Sequence, residues 1–199
     1  MKPKIFRAVL LAALISMIFF TDMSMGSRNG TKIFTLPGLP RPIASAPIVI
    51  TSAGQSTDTY IIRDISNQLM IRSFFMPQAE AAELEDIKSI VFVVGYSSLG
   101  MKLQNMSYEE ENARIGKLLK EAEENGLTVL TVALGEDHSY DRKTEELLRL
   151  VGGSSDYLIG LRESNNESTL IELAKERDIP MTLVGGIREI SGPFASAFR

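Results

Sequence analysis

The chain has no cysteine, which excludes a disulfide scaffold, a thiolate zinc site, a catalytic thiol and a lipid-bearing N-terminal cysteine. It has one histidine, His138, so multi-histidine metal centres are excluded as well. Positive charge is in short supply. Twenty-one Lys and Arg face 25 Asp and Glu, a net charge of −4, and no basic tail compensates, so binding to nucleic acid through bulk phosphate attraction has no support. Neither G-x-G-x-x-G nor G-x-x-x-x-G-K-[ST] occurs after the first strand, where residues 52–57 read SAGQST, so no dinucleotide or triphosphate cofactor is indicated.

What is present is one domain's worth of chain: 199 residues, 44% hydrophobic and 23% charged, enough for a single core. Lys2, Lys4 and Arg7 precede the thirteen-residue run 8–20 (AVLLAALISMIFF). Such a run reaches about 20 Å as a helix, short of the roughly 30 Å hydrocarbon layer, so residues 1–26 read as a secretory signal peptide or N-terminal anchor. Ser24 and Gly26 stand where a signal peptidase wants small residues, making Ser27 the new N-terminus. Removing that segment takes away three basic residues and one acidic residue and leaves −6. Residues 27–46 carry Pro37, Pro40 and Pro42 among glycines with no sustained apolar period, and read as a linker. The expected location is extracytoplasmic, periplasmic or secreted, with membrane contact only through an uncleaved N-terminus.

From residue 47 short, nearly all-apolar runs alternate with amphipathic stretches. The runs are 48–51 (IVIT), 90–94 (IVFVV), 128–134 (TVLTVAL), 157–159 (YLI) and 181–184 (MTLV). A run that is apolar throughout marks a strand covered on both faces, hence a parallel sheet. Residues 74–76 (FFM), stopped by Pro77, form a weaker edge strand. Ile61, Ile62, Ile65 and Leu69 share one helical stripe, with Ser56 or Asp58 placed to cap it. Ser107 and Glu110 fit a capping box opening a helix that buries Ile115, Leu118, Leu119 and Ala122 and stops at Asn125-Gly126. Further helices are expected over 143–151, 169–177 and from Ile187. The expected fold is α/β: a three-layer, Rossmann-like (flavodoxin-like) open parallel sheet with helices on both faces, as a single domain over 47–199.

In such a sheet the loops leaving the carboxyl ends of the strands gather on one edge, and ligands bind where strand order reverses. Those loops are 51–56 (TSAGQS), 95–105 (GYSSLGMKLQN), 135–142 (GEDHSYDR), 161–166 (LRESNN) and Gly185-Gly186. Small residues admit a ligand to the backbone and helix starts favour an anion. The predicted contacts are Ser52, Gly54, Gln55, Ser56, Gly95, Ser97, Ser98 and Asn165, with Lys102, Arg142 and Arg162 adding positive charge. Gly95-x-Ser97-x-x-Gly100 lacks the spacing of a nucleophile elbow. Glu136, Asp137, His138 and Asp141 could offer metal ligands, but adjacent loop acids are ordinarily solvated, and no metal is expected. Glu109–Glu111 and Glu121, Glu123 and Glu124 read as exposed helix faces. The Asn29, Asn105 and Asn166 glycosylation patterns arise readily by chance.

Residues 50–56 (ITSAGQS), 93–100 (VVGYSSLG), the 115–126 helix feeding 127–130 (LTVL), 155–162 (SDYLIGLR) with Asn165, and 178–184 (DIPMTLV) together resemble a bacterial family of exported proteins classed as a domain of unknown function. The resemblance covers about residues 47–199. It implies an exported Rossmann-like domain with no assigned reaction. Members usually carry Gly where this chain has Tyr96 and Asp where it has Gly185. The reading that follows is a non-catalytic binding or sensing module for a small polar or anionic molecule, without cofactor. Alternatives are an enzyme using loop hydroxyls at the same edge, and an envelope or transporter interaction module without a pocket.

Overall fold

The structure, a computed structural model, describes residues 33–34, 38–135 and 141–199. The signal segment 1–26 and the loop residues Glu136, Asp137 and His138 lie outside the described residues. Among the described residues one sheet holds seven strands: β1 (Ile33–Phe34), β2 (Ile48–Ala53), β3 (Ser73–Phe75), β4 (Ser89–Val94), β5 (Thr128–Ala133), β6 (Tyr157–Leu161) and β7 (Met181–Val184). Their spatial order is β1-β7-β6-β5-β4-β2-β3, and every pairing is parallel. The sheet is the α/β, three-layer, flavodoxin-like arrangement expected.

The topology follows from one reversal. From β2 the chain moves outward through α1 (Asp58–Gln68) to the edge strand β3, then crosses back to β4 on the other side of β2. From there it advances through α3 (Tyr108–Glu124), α4 (Arg142–Gly152) and α5 (Glu167–Arg177) to β5, β6 and β7. Crossovers keep a right hand, so reversing the direction of travel moves the helix to the opposite face. Ile62 and Ile65 of α1 therefore pack in one core with Ile48, Ile50 and Val91. Ile115 and Leu118 of α3, Leu147 and Val151 of α4, and Leu170 and Leu173 of α5 fill the other, with Val49, Phe92 and Leu158. Burial on both faces is complete along β2, β4, β6 and β7, which is why those strands read as unbroken apolar runs.

Three local differences from the sequence reading have identifiable causes. The segment read as a linker, 27–46, is part of the fold where it is described: Ile33–Phe34 pairs with β7 as the edge strand β1, and residues 38–46 do not stand off. Leu39 and Ala44 are buried in the α1-side core, and the N–H groups of Ile43 and Ala44 donate to the Ala197 carbonyl. Among the described residues that face carries α1 and the short α6 (Ser191–Ser196), with Ile187 beside them, so the segment covers sheet that would otherwise be wet. Residues Ser98–Leu103 form a helix, α2, capped by Ser97, whose Oγ accepts from the Gly100 N–H at 3.0 Å. The glycine had concealed it. The α1 N-cap is Thr57, with Ser56 Oγ accepting from the Asp58 N–H. The capping box at Ser107 and Glu110 forms as read.

Among the described residues the ionisable group buried in the α1-side core is the Tyr157 phenol, whose hydroxyl lies 2.5 Å from Thr182 Oγ1. Burial pushes its pKa up to about 12 from the ordinary 10. Between those values the unfolded chain has released the proton and the native state has not, so stability falls as pH rises. The wild-type protein should lose on the order of 2–3 kcal/mol of unfolding free energy across that window. Tyr157→Phe should lower stability by about 1 kcal/mol at neutral pH and flatten the alkaline loss relative to wild type, read by urea denaturation at pH 8 to 12.

Candidate functional site

The strand order reverses between β2 and β4, and their exits touch. The Gly95 N–H donates to the Ala53 carbonyl and the Ser97 N–H to the Gly54 carbonyl, at 3.0 and 2.8 Å. Gly54 has φ +103°, and a Cβ there would stand 2.5 Å from the Gly95 carbonyl oxygen. Gly100 packs α2 closer still: a Cβ there would clash with the Gln55 carbonyl oxygen. Beside these contacts, and bordered by Gly95 and Ser97, lies an open hollow of about 500 Å³.

Four connections wall it. Ser56, Thr57 and Asp58 follow β2, and Gly95, Tyr96, Ser97 and Ser98 follow β4. Gly135 follows β5, with Asp141 and Thr144 at the start of α4, and Asn165 and Asn166 follow β6. The hydroxyls double as local braces. Ser56 Oγ takes the Asp58 N–H, Ser97 Oγ the Gly100 N–H, and Thr144 Oγ1 the Tyr96 N–H at 3.0 Å. Each oxygen spends an acceptor site and keeps its O–H as a donor.

Of the contacts predicted from sequence, Ser56, Gly95, Ser97, Ser98 and Asn165 line this hollow. Six do not. Ser52 is fully buried within β2, and its Oγ finds no partner among the described residues. The Gly54 N–H donates to Glu111 Oε1 at 2.8 Å, and the Gln55 side-chain amide donates to the same oxygen at 3.1 Å. Both donors point inward, and Gln55, largely buried, borders a second hollow rather than this one. Lys102 lies exposed in the last turn of α2, Arg142 points along its own helix to Glu146 at 3.4 Å, and Arg162 is exposed beyond β6. The Gly185-Gly186 turn is not part of the lining. Thr57, Thr144 and Asn166 were missed because each sits in a helix start whose contact depends on how the helix is tilted.

A second correction concerns Glu111, read as exposed and in fact completely buried with Arg114. Glu111 accepts from Arg114 Nε through Oε2 and from Nη2 through Oε1, at 2.8 and 2.9 Å. Arg114 also donates to the carbonyls of Ser52 and Ala79 and to Thr51 Oγ1. The signal was available: Glu111 and Arg114 fall on the stripe of α3 that carries Ile115, Leu118 and Ala122.

The electrostatics differ from an anion site. Asp58 and Asp141 line the hollow, and among the described residues no Lys or Arg does. Three of the helix starts are already answered by an acid, Asp58 for α1, Asp141 as the α4 N-cap and Glu167 for α5, which offsets the macrodipole; the short α2 carries none. Lys143 stands behind the Tyr96 wall, its Nζ 3.0 Å from the Tyr96 hydroxyl and 4.4 Å from the ring centre. That hydrogen bond holds its pKa above the ordinary lysine value. Burial and a hydrogen bond to Glu146 raise that of Tyr108, which stands edge-on to Tyr96. Among the described residues no group of three His, Cys, Asp or Glu could hold a metal ion.

Over residues 45–198 the chain matches the model of Domain of unknown function (DUF6305). It belongs to that family. No curated protein and no solved structure matches the chain. The DUF6305 span begins at Ser45, whose N–H donates to Ser89 Oγ at 3.0 Å. It takes in β2 to β7, the whole hollow, and the Glu111–Arg114 pair. In this DUF6305 domain Glu111→Ala would strand the buried Arg114 charge and the Gly54 N–H. A loss of about 3–5 kcal/mol of unfolding free energy is expected, with Glu111→Gln losing less because it keeps an acceptor, both measured by urea denaturation. A loss below about 1 kcal/mol for Glu111→Ala would show that the pair does not hold the loop.

Proposed function

We propose that this domain is an exported, non-catalytic receptor for a small polar molecule held in the hollow at the carboxyl edge of the sheet. One observation carries the reading: four connections, far apart in sequence, together wall a single polar hollow at the point where strand order reverses, the place where open α/β sheets take ligands. Its volume of about 500 Å³ suits a monosaccharide, an amino acid or a molecule of similar size. Hydroxyl donors, the Asn165 and Asn166 amides and the Asp58 and Asp141 carboxylates favour a neutral or amine-bearing ligand. An anion gains little, because the cations stand outside the described lining and the starts of α1, α4 and α5 already face carboxylates.

Binding rather than turnover is supported by the hydroxyls themselves. Ser56, Ser97 and Thr144 each accept a backbone N–H, the use of a brace rather than of a nucleophile facing a base. Export rests on the basic start and the apolar run of residues 8–20. No helix among the described residues is long and apolar enough to cross a membrane.

Thermal melting with a panel of sugars, polyols, amino acids, amines, carboxylates and phosphates tests the ligand class. At least one neutral or amine-bearing compound should stabilise by about 2.7 kcal/mol at a hundred times its Kd. The paired change Ser98→Ala and Asn165→Ala, both exposed residues, should abolish the shift with little change in the unliganded Tm. A panel in which only carboxylates and phosphates stabilise, or nothing does, would remove the reading. For export, fractionation of cells should find the intact chain outside the cytoplasm and a chain lacking residues 1–26 inside it.

A further inference from the structure

A second hollow, of about 450 Å³, lies beside the first. The two share Ser56 and Thr57, so a molecule lying over that ridge touches both. They also share a wall. Ser97 and Ser98, at the start of α2, border the polar hollow, while Gly100, Leu103 and Gln104, at its end, border the second. The chemistry changes across the ridge: Tyr60, Met76, Pro77 and Leu103 give the second hollow apolar walls.

The sequence of α2 shows how that face stays open. Of its three large apolar residues only Met101 enters the core, at 3% exposure, while Leu99 and Leu103 remain 64% and 73% exposed. Tyr60 beside them is 48% exposed. Its ring is held in place by Phe75 at 5.0 Å and by the Arg63 guanidinium at 4.9 Å. The helix cannot roll to bury its leucines, because Gly100 is seated against the Gln55 carbonyl. The Gln55 amide is in turn fixed to Glu111. The apolar wall is thus a rigid feature of the same loop that shapes the polar hollow.

We infer that the ligand is amphipathic: its polar group sits in the hollow at the strand reversal, and a short alkyl chain or single aromatic ring crosses the Ser56–Thr57 ridge to lie against Leu103, Tyr60 and Met76. This rests on the polar-receptor reading above and adds the second half of the molecule. The occupant is the arm of a small ligand rather than a protein because the two hollows meet at the Ser56–Thr57 ridge and the apolar wall ends at polar Gln78, Glu83 and Gln104.

Matched probes decide it. Calorimetry on the domain would compare glucose, glycerol and ethanolamine with hexyl glucoside, 1-O-hexylglycerol and N-hexylethanolamine, all below micellar concentration. A head that binds bare should bind on the order of tenfold to a hundredfold tighter in its hexyl form. Leu103→Asp, at an exposed site, should erase that gain and leave the affinity of the bare head unchanged, whereas Leu103→Met should keep it. Ser98→Ala with Asn165→Ala should weaken both forms. Hexyl forms that bind no tighter than bare heads, or a gain that survives Leu103→Asp, would overturn the inference while leaving the polar receptor standing. Hexyl binding indifferent to the Ser98 and Asn165 changes, or no binding by any probe, would overturn both.

Discussion

The buried pair of Glu111 and Arg114 is the constraint on which the site rests. Two charges removed from water cost several kcal/mol each unless every lone pair and proton is answered. Here they are: Glu111 accepts from Gly54, Gln55 and Arg114, and Arg114 reaches the carbonyls of Ser52 and Ala79 as well. Such a pair contributes little net stability compared with apolar side chains of the same volume. What it fixes is position. It ties α3 to the end of β2, to the left-handed turn at Gln55 (φ +59°), and to the segment after β3. A fully satisfied polar network admits one arrangement of its partners, so the turn that shapes both hollows has one arrangement.

The second determinant is topological. A constant crossover hand, combined with one change of direction, sends α1 to one face and α3 to α5 to the other, and the connections diverge between β2 and β4. The divergence leaves room that the core does not fill. Its lining then follows from which residues occupy helix starts, and Ser, Thr, Asn and Asp predominate there because their side chains answer unpaired backbone N–H groups. The polarity of the hollow is thus a by-product of capping chemistry, and a receptor built on this edge inherits hydroxyls, amides and carboxylates without any basic residue.

Membership of DUF6305 fits a domain whose framework and edge are specified by different residues. The framework is apolar and interchangeable in kind, since any β-branched run covered on both faces serves. The edge depends on Gly54, Gln55, Gly100 and Glu111, each required by a close approach or a hydrogen bond that another residue type would break. Tyr96, with Lys143 against its ring, walls the hollow beside that turn.

The sequence alone determined the strands β2 to β7, the longer helices that pack on them and the edge on which a site would form. Parallel strands are buried on both faces, so 48–51 and 90–94 announce themselves as unbroken apolar runs, and capping residues such as Ser107 mark helix starts through purely local bonding. It also determined part of the lining, Ser56, Gly95, Ser97, Ser98 and Asn165, since loop position follows from element order. Tertiary structure decided the rest. Whether Gln55 faces a ligand or Glu111, whether Glu111 is wet, whether Arg162 points in or out, and whether residues 38–46 dangle or dock all depend on partners dozens of residues away. Periodicity reports which face of an element is covered; only the packed fold reports by what.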